Sequence, residues 1–258
     1  IYPKFFTFIN TEVNILSDEY DLISQDLNWS NKYLLPINLL LQFGFLLVNI
    51  VRVEKILVSF GGYCSLLPSL FGKVFCKKVA IVVHGTDCVD FPEIQYGNLR
   101  KPLIKWFTKK SYQFCDIILP VSESLVYTEN NYYSNGTLKF GYSHHLKGIN
   151  TPYKVIPNGL ILDDWQIDKV KKVSNTFITV MTDDQFKRKG GELIIETAKK
   201  LTNSKFYFAG TNCIKFSPEN VICLGRLTSD ELKNWYAKTQ FYLQLSNFEG
   251  FGVAICEA

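Results

Sequence analysis

Two glutamates and two glycines at the end of the chain could hold a phosphorylated sugar. Glu249 and Glu257 are eight positions apart, with Gly250 and Gly252 between them. The apolar segments on either side predict a strand, a glycine loop and the start of a helix. A helix start and flexible glycines suit an anion, because both expose backbone N–H groups. The two carboxylates could then accept hydrogen bonds from hydroxyls, which a sugar and a ribose present.

A basic glycine loop earlier in the second half could bind a diphosphate. Its sequence is Phe-Lys-Arg-Lys-Gly-Gly, and it separates a predicted strand at 176–181 from a predicted helix at 191–201. Arg188 offers a planar fork that matches phosphate geometry, and Lys189 offers a mobile point charge. The helix that starts after Gly190 also suits an anion. The loop predicts a diphosphate clamp, and a solvated basic turn is the alternative.

Two apolar strands of the first half end in residues that could contact a substrate. The strand at 55–60 leads into Gly-Gly-Tyr, and the strand at 78–83 leads into His-Gly-Thr-Asp. Such apolar strands are typical of a central parallel sheet, and functional residues collect beyond their carboxyl ends. His84 is the catalytic candidate here, with a structural histidine as the alternative. The candidate residues for the acceptor side are Gly61, Gly62, Tyr63 and Asp87.

The terminal stretch SNFEGFGVAICEA resembles the E-x7-E signature of retaining glycosyltransferases of family 4, which have the GT-B fold. The resemblance implies that Glu249 contacts hydroxyls of the transferred hexose and that Glu257 grips the ribose of the nucleotide. It also implies that loop amides hold the phosphate and the sugar of the donor, at Gly250, Phe251 and Gly252. An ordinary strand-to-helix turn with two surface glutamates is the alternative for this stretch alone.

Two further segments are similar to elements of the same family. His84 stands in a pattern like the family's HG-x-D element, which implies a place near the anomeric centre of the donor sugar. Arg188 stands directly before Lys189 and Gly190, as in part of the family, but the usual earlier Gly-Arg pair is missing. The resemblance therefore implies that Lys189 is the first candidate for the clamp and Arg188 the second.

The hinge and the base-binding segment also have counterparts in this chain. The sequence VIPNG around Asn158 is similar to the segment that leads into the second domain, and we include Asn158 among the donor-binding candidates. Ile161 stands where the family usually has Asp, so either Asp163 or Asp164 makes that contact or the contact is absent. The Gly-Arg-Leu segment at Arg226 implies a backbone contact with the nucleobase.

The elements that must position these residues alternate between strand and helix in both halves. This pattern predicts an α/β protein, and the resemblance implies two facing doubly wound, Rossmann-like domains. We place an acceptor-side domain at 1–156 and a donor-binding domain at 157–258. The chain does not begin with Met and ends inside a predicted helix, so we expect a fragment without the first strand and with an incomplete second domain.

Composition narrows the classes of partner. The chain has 258 residues and a net charge of +4, a surplus too small to indicate nucleic acid. Its seven cysteines have no C-x-x-C spacing, which indicates reduced thiols in a cytosolic protein and neither a disulfide framework nor a zinc site. No metal cage, no cofactor motif and no secretory signal is visible in the given sequence.

Residues 33–51 carry no charge. Their length and hydropathy suit a membrane span, but Pro36, Asn38, Gln42, Gly44 and Asn49 interrupt the run. We expect a buried or interdomain helix, and the alternatives are a helix that docks on a membrane surface and a true span.

The function expected from these features is transfer of a sugar from a nucleotide-diphosphate sugar to an acceptor hydroxyl, with retention at the anomeric carbon. The acceptor would be a glycan or a lipid-linked saccharide, and the protein would be cytoplasmic or peripheral at the inner face of the plasma membrane. Relatives are thought to let the departing phosphate deprotonate the acceptor, with a covalent intermediate on a carboxylate as the other route. Three other functions stay open: a nucleotide-sugar epimerase of the same fold, a two-carboxylate glycoside hydrolase, which the basic loop disfavours, and a non-catalytic binding remnant.

Overall fold

The computed structural model describes residues 1–3, 7–131, 136–166, 170–212 and 217–258. The chain forms two compact units, Ile1–Gly159 and Leu160–Ala258. Each unit has helices packed on a parallel sheet, so the protein belongs to the α/β class. The boundary predicted from the sequence lies three residues before this division, and Asn158 therefore belongs to the first unit.

The first unit contains a three-stranded parallel sheet in the order β1-β2-β3 and an antiparallel pair, β4 and β5. In chain order its elements are α1 (Thr7–Ser17), α2 (Leu35–Asn49), β1 (Lys55–Ser59), α3 (Tyr63–Val74), β2 (Lys78–Val83), α4 (Pro102–Phe114), β3 (Ile117–Pro120), β4 (Thr128–Asn130), β5 (Leu138–Phe140) and α5 (Tyr142–His145).

The sheet of the first unit is buried. Val58, Ile81 and Ile118 lie on β1, β2 and β3 and have no exposed surface. Parallel strands that are covered on both faces need such apolar runs, so the predicted strands at 55–60 and 78–83 are confirmed. The sequence YDLIS at 20–24, whose apolar residues also predict a strand, does not form one, so that prediction is wrong. Its side chains are exposed, and among the described residues the neighbouring pairing is a single bridge between Tyr2 and Asp26.

Helix α2 lies with its polar side towards the protein. Asn38, Gln42 and Leu46 are buried, whereas Leu40 and Val48 on the opposite side are 72% and 69% exposed. The expectation of a buried helix is therefore wrong for the apolar side of this segment. Within the described ranges, no helix has the length and apolar character needed to cross a membrane.

The second unit contains a four-stranded parallel sheet in the order β8-β7-β6-β9. Its core joins Ile194 and Ala198 of the first helix to Phe206 and Phe208 of a central strand. In chain order its elements are β6 (Val173–Val180), α6 (Gly191–Lys200), β7 (Lys205–Ala209), β8 (Val221–Gly225), α7 (Ser229–Lys238), β9 (Thr239–Tyr242) and α8 (Val253–Glu257).

Candidate functional site

The candidate site of the second unit lies where the strand order reverses. The chain runs from β6 outward through β7 to β8, and then returns to place β9 on the other side of β6. The loops that follow β6 and β9 therefore leave the carboxyl ends of two neighbouring parallel strands. Ligands of open α/β sheets bind at the carboxyl ends of strands at such a point. The basic glycine loop follows β6 and the Glu249 loop follows β9, so both predicted motifs lie at this point.

Hydrogen bonds fasten these two loops to each other. The backbone N–H of Asn247 donates to the carbonyl of Arg188 at 2.8 Å, and its side-chain Nδ2 donates to the carbonyl of Lys187 at 2.9 Å. In return, Nη1 of Arg188 donates to the carbonyl of Phe248 at 3.0 Å. Motifs about 60 residues apart in the sequence thus form one structural feature.

Gly190 permits this close approach. Its φ is +71°, a left-handed conformation that favours glycine. A Cβ atom at this position would lie 2.0 Å from the carbonyl oxygen of Leu245, in the loop after β9. The backbone of the basic loop therefore rests directly on the backbone of the other loop.

The two loops also bring opposite charges together. Nη1 of Arg188 lies 3.1 Å from Oε2 of Glu249, and Oγ of Ser246 donates to Oε1 of the same carboxylate at 2.9 Å. The Arg188 and Glu249 side chains are only 13% and 24% exposed, so water screens this ion pair less than a surface pair. The pair fixes the direction of the Glu249 carboxylate.

Lys189 extends back to the end of the central strand. Its Nζ donates to the carbonyl of Val180, the last residue of β6, at 2.9 Å. Burial lowers the pKa of Lys189, and the carboxylates of Glu249 and Glu257 oppose that shift. Burial likewise raises the pKa of Glu257, and the Lys189 ammonium opposes it. Lysine, arginine and both glutamates of the E-x7-E stretch therefore share one electrostatic cluster.

Sequence reasoning missed two tyrosines beside this cluster. Tyr242 is the last residue of β9 and its hydroxyl donates to Oε1 of Gln244 at 2.8 Å. Burial raises the pKa of Tyr242, and the nearby Glu249 and Glu257 raise it further. Tyr236 lies against Tyr242, and its buried hydroxyl has no partner among the described residues. The position of Tyr242 at the end of a strand that leads into the glycine loop was the available signal.

The remaining predicted donor-binding residues lie at different distances from the cluster. Gly250, Phe251 and Gly252 form the link between β9 and α8, and Gly252 has a φ of +78° at the start of that helix. Arg226 is exposed and follows β8, which is three interstrand spacings, roughly 14 Å, from β9. The structure does not bring the Arg226 side chain into the cluster.

In the first unit, His84 follows β2 and lies between two aromatic rings. Its ring centroid is 4.7 Å from that of Phe8 and 4.5 Å from that of Phe60. Both ring nitrogens are buried, and neither has a hydrogen-bond partner among the described residues. Burial lowers the pKa of His84 to about 3, so the imidazole is neutral at pH 7.

The low pKa of His84 makes the folded state sensitive to acid. The unfolded chain, with an ordinary histidine pKa of 6.5, binds a proton between pH 6.5 and 3 that the folded chain does not bind. The contribution of His84 to stability is therefore present above pH 6.5 and decreases as the pH falls. Between pH 7 and pH 5, we expect the free energy of unfolding of wild type to fall by about 2 kcal/mol more than that of His84→Phe.

Urea unfolding of both proteins at the two pH values measures this difference. The comparison removes the contributions of other groups, such as Glu12, whose pKa burial raises to about 7. Equal pH dependence of the two proteins would show that His84 accepts a proton in the folded state as readily as in the unfolded state.

Asp87 connects the loops at the carboxyl ends of the strands in the first sheet. Its carboxylate has no exposed surface and accepts hydrogen bonds from the N–H groups of Gly61 and Gly85, at 2.8 and 3.0 Å, and from the hydroxyl of Tyr112 at 3.1 Å. A further N–H, that of His84, lies 3.3 Å from it. The predicted contact of Asp87 with an acceptor stays a prediction, while the structure shows that Asp87 orders the loops after β1 and β2.

The other acceptor-side candidates lie at the start of α3. A Cβ at Gly61 would lie 2.7 Å from the side chain of Tyr112, so the glycine allows close packing. Gly62 has a φ of +148° and precedes the first turn of α3, and the ring of Tyr63 packs edge-on against Phe107 at 5.1 Å. Asn158 also belongs to this unit, and its buried Oδ1 has no partner among the described residues. Their contacts with substrate stay predictions.

Over the ranges that the structure describes, no group of three or more His, Cys, Asp or Glu side chains is arranged to hold a metal ion. The candidate site contains two cationic side chains, Arg188 and Lys189.

Solved structures of glycosyltransferases share this fold. TarM from S. aureus, crystallised with UDP and alpha-GlcNAc-glycerol, superposes with a TM-score of 0.58 at 16% identity, over 86% of this chain and 43% of TarM. Sucrose-phosphate synthase from Thermosynechococcus elongatus superposes with a TM-score of 0.59 at 12% identity, over 93% of this chain and 65% of that enzyme. The chain has the GT-B fold.

A trehalose-6-phosphate synthase also superposes, from a study of glycosyl transfer with retention. The TM-score is 0.53 at 10% identity, over 90% of this chain and 62% of that enzyme. This chain thus spans about two fifths of the length of TarM and less than two thirds of the two synthases. Comparison with family models and with curated protein sequences gave no match. At these identities the similarity establishes the fold, and the site must be argued from its own residues.

Proposed function

We propose that the protein is a retaining hexosyltransferase, similar to family 4, that moves a sugar from a nucleotide-diphosphate sugar to an acceptor hydroxyl. The observation that carries the proposal is the pairing of the basic loop with the E-x7-E loop at the strand-order reversal of a GT-B fold. A hydrogen-bonded pair of loops with two cations and two carboxylates matches the two halves of such a donor. The cations suit the diphosphate, and the carboxylates suit the hydroxyls.

The geometry suggests a role for each charged residue. Lys189 would bind the diphosphate, because its ammonium has three donors and uses one of them on Val180. Arg188 would act mainly through Glu249, whose carboxylate it holds at 3.1 Å, and would add a second positive charge. Glu249 would then accept hydrogen bonds from hydroxyls of the transferred sugar, and Glu257 from the ribose. His84 has a neutral ring whose nitrogens have no hydrogen-bond partner among the described residues, and it is the candidate of the first unit for positioning the donor sugar.

The proposed reaction needs no cofactor and no protein nucleophile. The acceptor oxygen forms a bond to the anomeric carbon on the face from which the diphosphate departs, and the departing phosphate oxygen takes the proton of the acceptor hydroxyl. Lys189 and Arg188 stabilise the negative charge that develops on the diphosphate, and preorganised charges in a partly buried site are effective at this. Retention follows because bond formation and bond cleavage occur on the same face.

The acceptor we propose is a saccharide, free or linked to a lipid, as in polysaccharide biosynthesis. The protein would act in the cytoplasm or at the inner face of the plasma membrane, with peripheral membrane contact through residues 33–51. The uncharged outer side of α2 supports this contact, because it is exposed.

Binding of a nucleotide panel tests the proposed function. We expect the full-length protein to bind one of UDP, GDP, ADP and CMP in calorimetry, with binding lost in Glu257→Ala. The matched control is Glu192→Ala, because Glu192 is an exposed glutamate at the start of α6. Its affinity should equal that of wild type. No binding to any of the four by folded protein would contradict the transferase proposal, and unchanged affinity of Glu257→Ala would remove Glu257 from the site.

A further inference from the structure

Hydrogen bonds hold α2 with its polar side towards the protein and its leucines outward. Nδ2 of Asn38 donates to the carbonyl of Asn28 at 2.9 Å, and Nε2 of Gln42 donates to the carbonyl of Cys64 at 2.9 Å. Both amides are buried, and Gln42 has no exposed surface. Rotating the helix to bury its leucines would break these bonds, so the amides fix which side faces outward.

The outward side of α2 is an uninterrupted apolar stripe. Its members follow the i, i+3, i+4, i+7 spacing that normally marks the buried side of a helix. A Cβ on Gly44, in the middle of the stripe, would meet no atom within 4 Å, so the stripe is open along its length. The helix has 15 residues and is about 22 Å long. The stripe consists of Ile37, Leu40, Leu41, Gly44, Leu47 and Val48, and Val51 continues it in the turn after α2.

The apolar surface continues onto the end of α3. Phe43 of α2 packs edge-on against Phe71 of α3 at 5.3 Å, and Phe71 stacks on Phe75 at 5.6 Å. Next to them, Val74 is 72% exposed. We refer to the stripe together with Val74 and Phe75 as the α2–α3 surface. Its extent exceeds the single exposed apolar residues that are ordinary on a soluble protein.

Cations border one end of the α2–α3 surface. Residues 50–78 contain five Lys or Arg and one Glu. Lys55 and Lys78 are paired neighbours, since they are the first residues of β1 and β2. They lie at the amino ends of these strands, which follow the ends of α2 and α3. Lys78 pairs with Asp116 at 2.8 Å, and Nζ of Lys73 lies 5.5 Å from the ring centre of Phe114. The cationic border consists of Arg52, Lys55, Lys73, Lys77 and Lys78.

We propose that the α2–α3 surface docks on an anionic lipid bilayer, with its apolar stripe in the headgroup–acyl boundary and its cationic border on the lipid phosphates. This proposal extends the peripheral membrane contact proposed above by defining the surface and the lipid charge. An uncharged stripe with cations at its margin is the pattern of a helix that lies in the plane of an anionic interface. In a symmetric dimer that paired the two α2 helices in parallel, the same cations would face each other and repel.

Flotation of the full-length protein with vesicles tests the apolar part. We expect wild type to float with vesicles of phosphatidylcholine and phosphatidylglycerol, and the double variant Leu40→Ser, Val48→Ser to bind at least about tenfold more weakly. Both side chains point outward, so the fold should tolerate these changes. The matched control is Leu162→Ser, Leu193→Ser, which removes two leucines that are 70% and 51% exposed in the second unit.

Replacing the cations tests the lipid charge. The triple variant Arg52→Gln, Lys55→Gln, Lys73→Gln should lose about 100-fold in binding to the anionic vesicles, since each cation contributes roughly fivefold. It should keep whatever weak binding wild type shows to phosphatidylcholine alone. The matched control replaces three exposed lysines of the second unit by glutamine, at Lys199, Lys200 and Lys205. Added salt should weaken the binding of wild type and of this control alike.

Three outcomes would overturn the proposal. Wild type would not float with the anionic vesicles, or the Leu40→Ser, Val48→Ser variant would bind them as tightly as wild type, or wild type would bind anionic and phosphatidylcholine vesicles equally. Self-association of wild type that the Leu40 and Val48 changes abolish, without flotation, would assign the surface to a second copy and also overturn it. Nucleotide binding measured in the same preparations separates failure of this proposal from failure of the proposed function. Leu40 and Val48 lie outside the unit that contains the cluster of Lys189 and the two glutamates, so their replacement should leave nucleotide affinity unchanged.

Discussion

Replacing Lys189 by alanine is expected to weaken binding of the preferred nucleoside diphosphate by about 100-fold, corresponding to about 3 kcal/mol for a lost charge-assisted contact in a partly buried site. The effect has two parts. The variant loses the ammonium donors. It also leaves the carboxylates of Glu249 and Glu257 near the proposed diphosphate with less positive charge to balance them. Removing Lys189 would therefore lower the attraction of the proposed site for phosphate, while Arg188 keeps one positive charge there.

The neighbouring lysine supplies the control for this experiment. Lys187 belongs to the same loop, carries the same charge and is exposed, and the loop pairing uses its backbone carbonyl and not its ammonium. Lys187→Ala should change the affinity by less than about threefold, as expected for a screened surface charge. Titration calorimetry with both variants separates a local contact from a general loss of positive charge. Equal affinities for wild type and Lys189→Ala would exclude Lys189 from the diphosphate site.

Loss of binding in Lys189→Ala must also be separated from loss of structure. The side chain bonds to the end of β6, and removing that bond is expected to cost only about 1 kcal/mol. Lys189→Arg provides a second measurement, because it keeps the positive charge and a donor. Partial recovery of diphosphate affinity in Lys189→Arg is the expected result.

The sequence was informative where local patterns determine structure. Apolar runs such as 78–83 predicted central parallel strands, and glycines after them predicted turns into helices, because parallel strands buried on both faces need both features. The two candidate loops were predicted for a related reason, since Lys189 and Glu249 each follow a predicted strand and directly precede glycine. Local patterns could not show that β9 lies next to β6, which brings the two loops together.

Two features depended on contacts that no local pattern contains. The polar side of α2 faces inward because Gln42 finds the carbonyl of Cys64, 22 residues away, as its partner. Hydrophobic periodicity alone predicts the opposite orientation. Tyr242 was missed because its position at the end of a strand gains meaning only when Glu249 and Glu257 are placed beside it.

Asp87→Ala is expected to lower the free energy of unfolding of the first unit by about 4 kcal/mol, because it leaves several buried donors without an acceptor. These donors come from three elements: Gly61 follows β1, Gly85 follows β2, and Tyr112 lies on α4. Asp87→Asn keeps the shape and one carbonyl oxygen, so its cost should be about half as large. Asp18→Ala, which removes an exposed carboxylate, should have an effect below about 0.5 kcal/mol.

Tryptophan fluorescence can isolate the first unit in this measurement. The chain has four tryptophans, and Trp165 and Trp235 lie in the second unit. Urea unfolding in a Trp165→Phe, Trp235→Phe background therefore reports on the first unit alone, which avoids treating two units as one transition. A loss below about 1 kcal/mol for Asp87→Ala would show that the loops after β1 and β2 hold their shape without the carboxylate.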